Sequence, residues 1–226
     1  MSKKNLGLVL ILILAAISLS VVGVRHYRTS LCSKPAYTCI QVKKGDTWES
    51  LFPNASKRRL VMRVNRMNIR LYPGATIAVP KNLNSINHMD VSPMPRRIEP
   101  TGRKTILIMM SMQAFGAYDQ YGYLVHWGPV SGGQGYCPDV RRRCNTPRGR
   151  FSIQSRGGAG CISTKYPVGK GGAPMPFCMF FYGGYAMHAS TLPGYHASHG
   201  CVRMFYEDAK WLNREFTSIG TRVIIQ

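Results

Sequence analysis

Acidic side chains are scarce in this sequence. Asp and Glu total 9 against 30 Lys and Arg, which leaves a net charge of +21 over 226 residues. A surface so short of carboxylates attracts anionic partners: nucleic acid, anionic lipid or an anionic polymer. The excess is not gathered into a basic arm. Residues 25–100 carry 14 basic and 4 acidic side chains, and residues 101–226 carry 14 and 5. Charged residues of either sign make up only 17% of the chain and apolar ones 45%, which excludes a disordered tail protein. Its 23 Gly and 14 Pro lack a triplet period, which excludes collagen and points to many turns, hence β structure. No internal repeat is visible. The length suits one or two domains with a real core.

Leu6 to Val24 is a 19-residue stretch without a charge. As a helix it would be about 28 Å long, close to the roughly 30 Å apolar thickness of a bilayer. It reads as a retained anchor in the inner membrane or a cleaved signal peptide. It exceeds the usual signal core of about 7–15 residues and no A-x-A site closes it, which favours the anchor. Lys3 and Lys4 before it are matched by Arg25 and Arg28 after it, so charge leaves the orientation open. The arginines before Cys32 argue against a lipoprotein site. Export places the rest of the chain in an oxidising periplasm or cell envelope, which suits seven cysteines, an odd count that leaves one thiol over if six pair. In that compartment nucleic acid is not expected, and an anionic envelope polymer is the better partner.

Residues 37–80 read as a small βααβ unit. Cys39 to Val42 forms a strand, Lys44-Gly45-Asp46 a turn and Thr47 an N-cap for a helix starting at Trp48. Arg59 to Met67 is a second helical run, and Ala75 to Val79 a strand after the Pro73-Gly74 turn. Val42-Lys43-Lys44-Gly45-Asp46-Thr47, Val64-Asn65-Arg66-Met67-Asn68 and Leu71 to Pro80 make this unit similar to a lysin motif (LysM). The resemblance implies binding to the N-acetylated glycan of cell walls. Residues 81–100, with Pro93, Pro95 and Pro100, read as a semi-extended linker.

From residue 101 the pattern turns to strands. Thr105 to Ser111 is an apolar run, and Ala114 to Tyr118 and Tyr123 to Val130 flank the hairpin signal Asp119-Gln120-Tyr121-Gly122. Gly132 to Arg150 reads as a long loop. Arg150 to Gln154, Phe177 to Tyr182, Tyr185 to Met187 and Thr221 to Ile225 are further strands. Phe205, Ala209, Leu212 and Phe216 recur at helical spacing. The fold class is mainly β with one C-terminal helix, plus the small βααβ unit.

The chemistry concentrates in Met187-His188 and Ser198-His199-Gly200-Cys201-Val202-Arg203-Met204. A cysteine becomes a nucleophile when an imidazole and aimed backbone N–H groups stabilise its thiolate, and its free pKa of about 8.5 must fall for it to act at neutral pH. Gly200 permits the tight turn and open backbone that an oxyanion site needs. Three readings of these residues compete. Cys201 can be half of a disulfide with surface histidines around it. His188, His196, His199 and Cys201 can be a zinc set, although His199 and Cys201 lie two apart, an unusual ligand spacing. Or Cys201 is a nucleophile, which the odd cysteine count favours.

The stretch resembles the catalytic motif of the L,D-transpeptidase family, with its upstream histidine and S/T-H-G-C followed by an apolar residue and Arg or Asn. Gly116-Ala117-Tyr118-Asp119, Val130-Ser131-Gly132-Gly133, Thr146-Pro147-Arg148-Gly149-Arg150-Phe151, Met175-Pro176-Phe177 and Gly220 to Ile225 match further family segments in order, over about residues 103–226. The 13-position gap from His188 to Cys201 is shorter than in many members, and Ala189 stands where many have Gly or Ser. The group that orients His188 is therefore Ser190 or a backbone carbonyl. The resemblance implies a sandwich or barrel of β-strands, no cofactor and no metal. It also implies acyl transfer from a peptidoglycan tetrapeptide stem. Cys201 is the nucleophile, the N–H groups of Gly200 and Cys201 hold the oxyanion, and His188 is general base and acid with His199 second. Arg203 binds the stem carboxylate or pairs with Glu207, and Ser198 and Tyr195 contact substrate. The acceptor is an amine of a second stem or a protein lysine; water as acceptor gives an L,D-carboxypeptidase, and a site that outlived its activity gives a noncatalytic wall-binding protein. With Cys201 free, proximity in sequence pairs Cys32 with Cys39, Cys137 with Cys144 and Cys161 with Cys178.

Overall fold

A computed structural model describes residues 30–165 and 172–226. The uncharged run at 6–24 lies outside the described residues, and among those described no helix is long and apolar enough to cross a membrane.

In the small unit, β1 (Tyr37–Gln41) and β2 (Thr76–Pro80) pair antiparallel along their whole length. Between them lie α1 (Trp48–Leu51) and α2 (Ala55–Asn65). Thr47 caps α1 as its sequence suggests: Thr47 Oγ1 accepts from the Ser50 N–H while Ser50 Oγ accepts from the Thr47 N–H. α2 starts earlier than its apolar periodicity indicates, because Asn54 Oδ1 accepts from the N–H groups of Ser56 and Lys57 and opens a polar first turn. Leu60, Val61 and Val64 are buried from α2, and Trp48, Phe52 and Ile77 join Val61 in the unit's core.

Residues 81–100 hold turns but no strand or helix, and they are fastened down along their length. Met94 is buried with Leu107, Tyr118 and Trp127. Tyr118 Oη donates to the Pro95 carbonyl at 2.9 Å and Trp127 Nε1 to the His88 carbonyl at 2.6 Å. The apolar side chains among the prolines give this segment something to bury, so it lies along the larger domain.

That domain is one nine-stranded sheet curled into a half-barrel. Its strands are β3 (Thr105–Met109), β4 (Ala114–Tyr118), β5 (Leu124–Ser131), β8 (Gly149–Ser152), β9 (Ser155–Arg156), β10 (Met179–Tyr182), β11 (Tyr185–Ala189), β12 (Val202–Met204) and β13 (Arg222–Ile225), in the order β8-β13-β3-β4-β5-β12-β11-β10-β9. Two further strands, β6 (Gly135–Cys137) and β7 (Arg142–Cys144), form a separate hairpin within the stretch expected to be a loop. β4 is buried at every position and β3 at all but its last residue, which explains their unbroken apolar runs. Asp119 Oδ1 accepts from the Tyr121 and Tyr123 N–H groups and closes the β4–β5 turn. The helix α3 (Tyr206–Trp211) continues as a π-helical turn over Leu212–Phe216. Phe205, Ala209, Leu212 and Phe216 are all buried on its inner face.

The expectation of a mainly β fold with one C-terminal helix is met, in the form of a single curled sheet. The cysteines pair as Cys32–Cys39, Cys137–Cys144 and Cys161–Cys178, and Cys201 is free.

Candidate active site

β11 and β12 run parallel, with His188 opposite Arg203 and Met187 opposite Val202. Cys201 immediately precedes β12, so two neighbouring strands bring the histidine, the arginine and the free thiol together. Residues 190–200 form the loop between them. His188, Ser190, Ser198, His199, Cys201 and Arg203 line one cavity of about 300 Å³, together with Ser163, Ala173, Pro174 and Met175. Tyr195 is not part of this lining. It is exposed, and its carbonyl accepts from Ser131 Oγ at 2.7 Å.

His188 is buried, and burial pushes its imidazole down to about 4, outweighing the hydrogen bond to the Ala189 backbone; the nearby Arg203 charge adds to the fall. At neutral pH the ring is therefore uncharged. His188 Nδ1 lies 3.0 Å from the Ala189 carbonyl. A carbonyl only accepts, so Nδ1 carries the ring proton and Nε2 keeps its lone pair. Ala189 thus orients the histidine through its own backbone carbonyl.

Burial pushes the Cys201 thiol up, against the opposing effects of a hydrogen bond from the Ala186 backbone and the Arg203 charge. The expectation of a depressed thiol is corrected here: desolvation outweighs the stabilising groups, and the resting pair is a neutral thiol beside a neutral imidazole.

Gly200 has φ +124°, and a Cβ there would collide with the Tyr185 ring. Only glycine fits the turn. Ser198 staples the same turn: its buried hydroxyl donates to the Cys201 carbonyl at 2.5 Å and accepts from the Gly200 N–H at 3.0 Å. Two expectations change as a result. The Gly200 N–H is engaged by Ser198 and is not free for an oxyanion, and the Ser198 hydroxyl is consumed within the turn, which leaves it no donor for substrate.

His199 stands at the rim, where its Nε2 donates to Asp139 Oδ2 at 2.7 Å. The Asp139 carboxyl is held below its ordinary value chiefly by that hydrogen bond. Asp139 sits in the tight loop closed by the Cys137–Cys144 disulfide. His196 is a staple: Nδ1 accepts from the Gly132 N–H at 3.0 Å and Nε2 donates to the Met110 carbonyl at 3.1 Å. With both ring nitrogens committed, the zinc quartet has lost a ligand. Cys137 Sγ, Asp139 and His199 also lie within 4.8 Å of one another, but Cys137 is half of a disulfide and offers no thiolate. Among the described residues Arg203 has no carboxylate partner within ion-pair distance, Glu207 included.

Residues 100–225 match the family model of the L,D-transpeptidase catalytic domain, YkuD. The chain belongs to this family. Among solved structures, an L,D-transpeptidase from Xylanimonas cellulosilytica is 28% identical with a TM-score of 0.53, over 69% of this chain and 74% of that one. An L,D-transpeptidase from Stackebrandtia nassauensis shares the fold at 20% identity and a TM-score of 0.51, over 76% of this chain and 77% of that one. No curated protein matches. The family match begins at residue 100, so this L,D-transpeptidase domain carries a βααβ unit that the match does not cover. Sequence reasoning missed Asp139 and the Ala186 backbone donor in this domain. The paired cysteines around Pro138-Asp139 were a usable signal for the first, whereas a backbone donor leaves no mark on side-chain identity.

Proposed function

We propose that the protein is a peptidoglycan L,D-transpeptidase of the cell envelope. The observation that carries this reading is the shared cavity: the single free cysteine, a neutral buried histidine with an open Nε2, and an arginine without a carboxylate partner among the described residues. Cys201 Sγ attacks the carbonyl of the third stem residue as His188 Nε2 takes the thiol proton. The oxyanion forms against the Cys201 N–H. The C–N bond to the terminal D-Ala breaks, His188 returns its proton to the departing amine, and a thioester remains on Cys201. An amine of a second stem, or of a protein lysine, attacks the thioester while His188 again accepts a proton, and the thiol is restored. Arg203 holds the stem carboxylate by paired hydrogen bonds.

Around this chemistry we read the βααβ unit as lysin-motif-like and directed to wall glycan, residues 81–100 as its link to the catalytic domain, and the uncharged N-terminal run as the membrane anchor or leader. The basic surface favours the anionic wall. Transfer to water instead of an amine, an L,D-carboxypeptidase, uses the same thioester. Mass spectrometry of muropeptides after incubation of the protein with cell-wall sacculi separates the outcomes. New cross-links between third stem residues, with D-Ala release, support the transpeptidase. Trimmed stems without cross-links make it a carboxypeptidase, and unchanged muropeptides make it a noncatalytic wall-binding protein.

A further inference from the structure

The βααβ unit reaches the loop that carries the nucleophile. The Leu192 N–H donates to Asn68 Oδ1 at 2.7 Å, and the Asn68 N–H donates to the Leu192 carbonyl at 3.0 Å. Next to this exchange, Met67 and Pro193 form an antiparallel bridge. Leu192 and Met67 are fully buried.

Both ends of the same loop are tied within the catalytic domain. The Ser190 N–H donates to the Met204 carbonyl, the Ala197 N–H to Ser131 Oγ and the Ser198 N–H to the Gly132 carbonyl. Tyr195 and His196 are tied there as well, through Ser131, Gly132 and Met110, whereas the ties at Leu192 and Pro193 come from the small unit. That unit is itself held fast just before Asn68. Arg63 pairs with Asp208, and the Arg66 guanidinium lies over the Trp127 ring at 5.5 Å. Arg66 is left-handed at φ 52° and turns the chain out of α2 toward the loop.

We propose that Asn68 is a positioning residue: by pinning Leu192 it sets the shape of the 190–200 loop, and through that loop the aim of Cys201. The small unit is then a working part of the catalytic site, whatever it binds elsewhere. The consequence for turnover rests on the transpeptidase reading; the pinning does not. Asn68→Ala removes the acceptor and leaves the Leu192 N–H unpaired in a buried setting, whereas Asn68→Asp keeps an oxygen in place. A mis-set nucleophile slows the chemical step more than it weakens substrate binding.

The test compares full-length wild type, Asn68→Ala and Asn68→Asp, each with a thermal melt. Asn68→Leu, of similar volume and without an acceptor, replaces the alanine variant if that one does not fold. Three quantities are read: hydrogen exchange of the 190–200 peptide, the rate of Cys201 alkylation by iodoacetamide, and kcat and KM with sacculus-derived muropeptides. In Asn68→Ala, exchange at Leu192 should rise about tenfold or more. Alkylation should change several-fold. The value of kcat should fall about tenfold with KM within about twofold, and Asn68→Asp should restore all of these. Wild-type exchange in Asn68→Ala would overturn the pinning. Faster exchange with unchanged kcat would overturn the positioning role. If the wild type proves inactive on muropeptides, it is the proposed function that fails; unchanged alkylation alongside faster exchange would then overturn the positioning role, and altered alkylation would support it.

Discussion

Arg63 and the buried Asp208 form a largely enclosed ion pair across the junction between the βααβ unit and the catalytic domain, with guanidinium nitrogens 2.6 and 2.9 Å from the two carboxylate oxygens. His126 Nε2 adds a third contact to Asp208 at 2.8 Å. Burial alone would raise the Asp208 carboxyl, but the His126 hydrogen bond and the Arg63 charge more than offset it and hold the group below its ordinary value. Gly128 leaves the space, since a Cβ there would collide with the carboxylate. Removing one partner strands the other charge away from water. Arg63→Ala should therefore destabilise the protein by about 3–5 kcal/mol, read by denaturant unfolding. A loss below about 1 kcal/mol, the range of an exposed pair, would mean that water reaches the junction.

The catalytic assignments separate by substitution. Cys201→Ser should abolish transfer, because an unactivated hydroxyl is a far weaker nucleophile than sulfur. His188→Ala should lower kcat by about 10²–10⁴-fold through loss of proton transfer. His199→Ala should be milder, because His199 stands at the rim and is turned to Asp139. Near-normal turnover in His188→Ala with an inactive His199→Ala would reverse the two roles.

Thiol labelling tests the cysteine framework. Without reductant, iodoacetamide should modify one site, Cys201, since the other six are paired. The rate should climb steeply with pH and reach its midpoint above that of an ordinary thiol, because burial holds the Cys201 proton on. A thiol already fully reactive at neutral pH would contradict the neutral resting pair.

Stability should fall as the solution is acidified from about pH 6.5 to about pH 4. His188 and His88 are each lowered from 6.5 to about 4, with burial the largest cause. Between those values the unfolded chain binds protons that the folded chain refuses. Their contribution is complete above the unfolded value, shrinks as pH falls through the window, and levels off below the folded value. Thermal melts across this range should show a falling Tm, with a shallower fall in His88→Gln. A flat profile would show that these rings take up protons while still folded.

Gly200→Ala should cost activity and stability together. The backbone at φ +124° is closed to an alanine, and the added methyl would meet the Tyr185 ring. A melt and an alkylation assay on the same sample check this. Unchanged alkylation would mean that the turn relaxes without moving Cys201.

The sequence alone carried most of the fold. Alternation and apolar runs located β4, β5 and β13, the buried spacing of Phe205, Ala209, Leu212 and Phe216 located the last helix, and Thr47 announced α1. These are local signals, set by side-chain period and capping. The short strands β6, β7, β9 and β12 were not legible, because two or three residues give no period. They exist because neighbouring chain is present to pair with them. The Ser-His-Gly-Cys run and the odd cysteine count likewise pointed to Cys201, which is free and shares a cavity with His188.

Tertiary structure decided what those residues can do. Burial of His188 and Cys201 sets their charge states, and no string of residues states its own burial. The Ser198 hydroxyl bonds within its own turn because the backbone bends back on it, so a residue read as a substrate contact also staples the turn before Cys201. Asn68 and Leu192, and Arg63 and Asp208, are far apart in sequence and met only when the two parts of the chain packed. Residue identity determined the available chemistry and the local periodicities; long-range packing determined which groups lost water and which found partners, and those two factors set their pKa values and their roles.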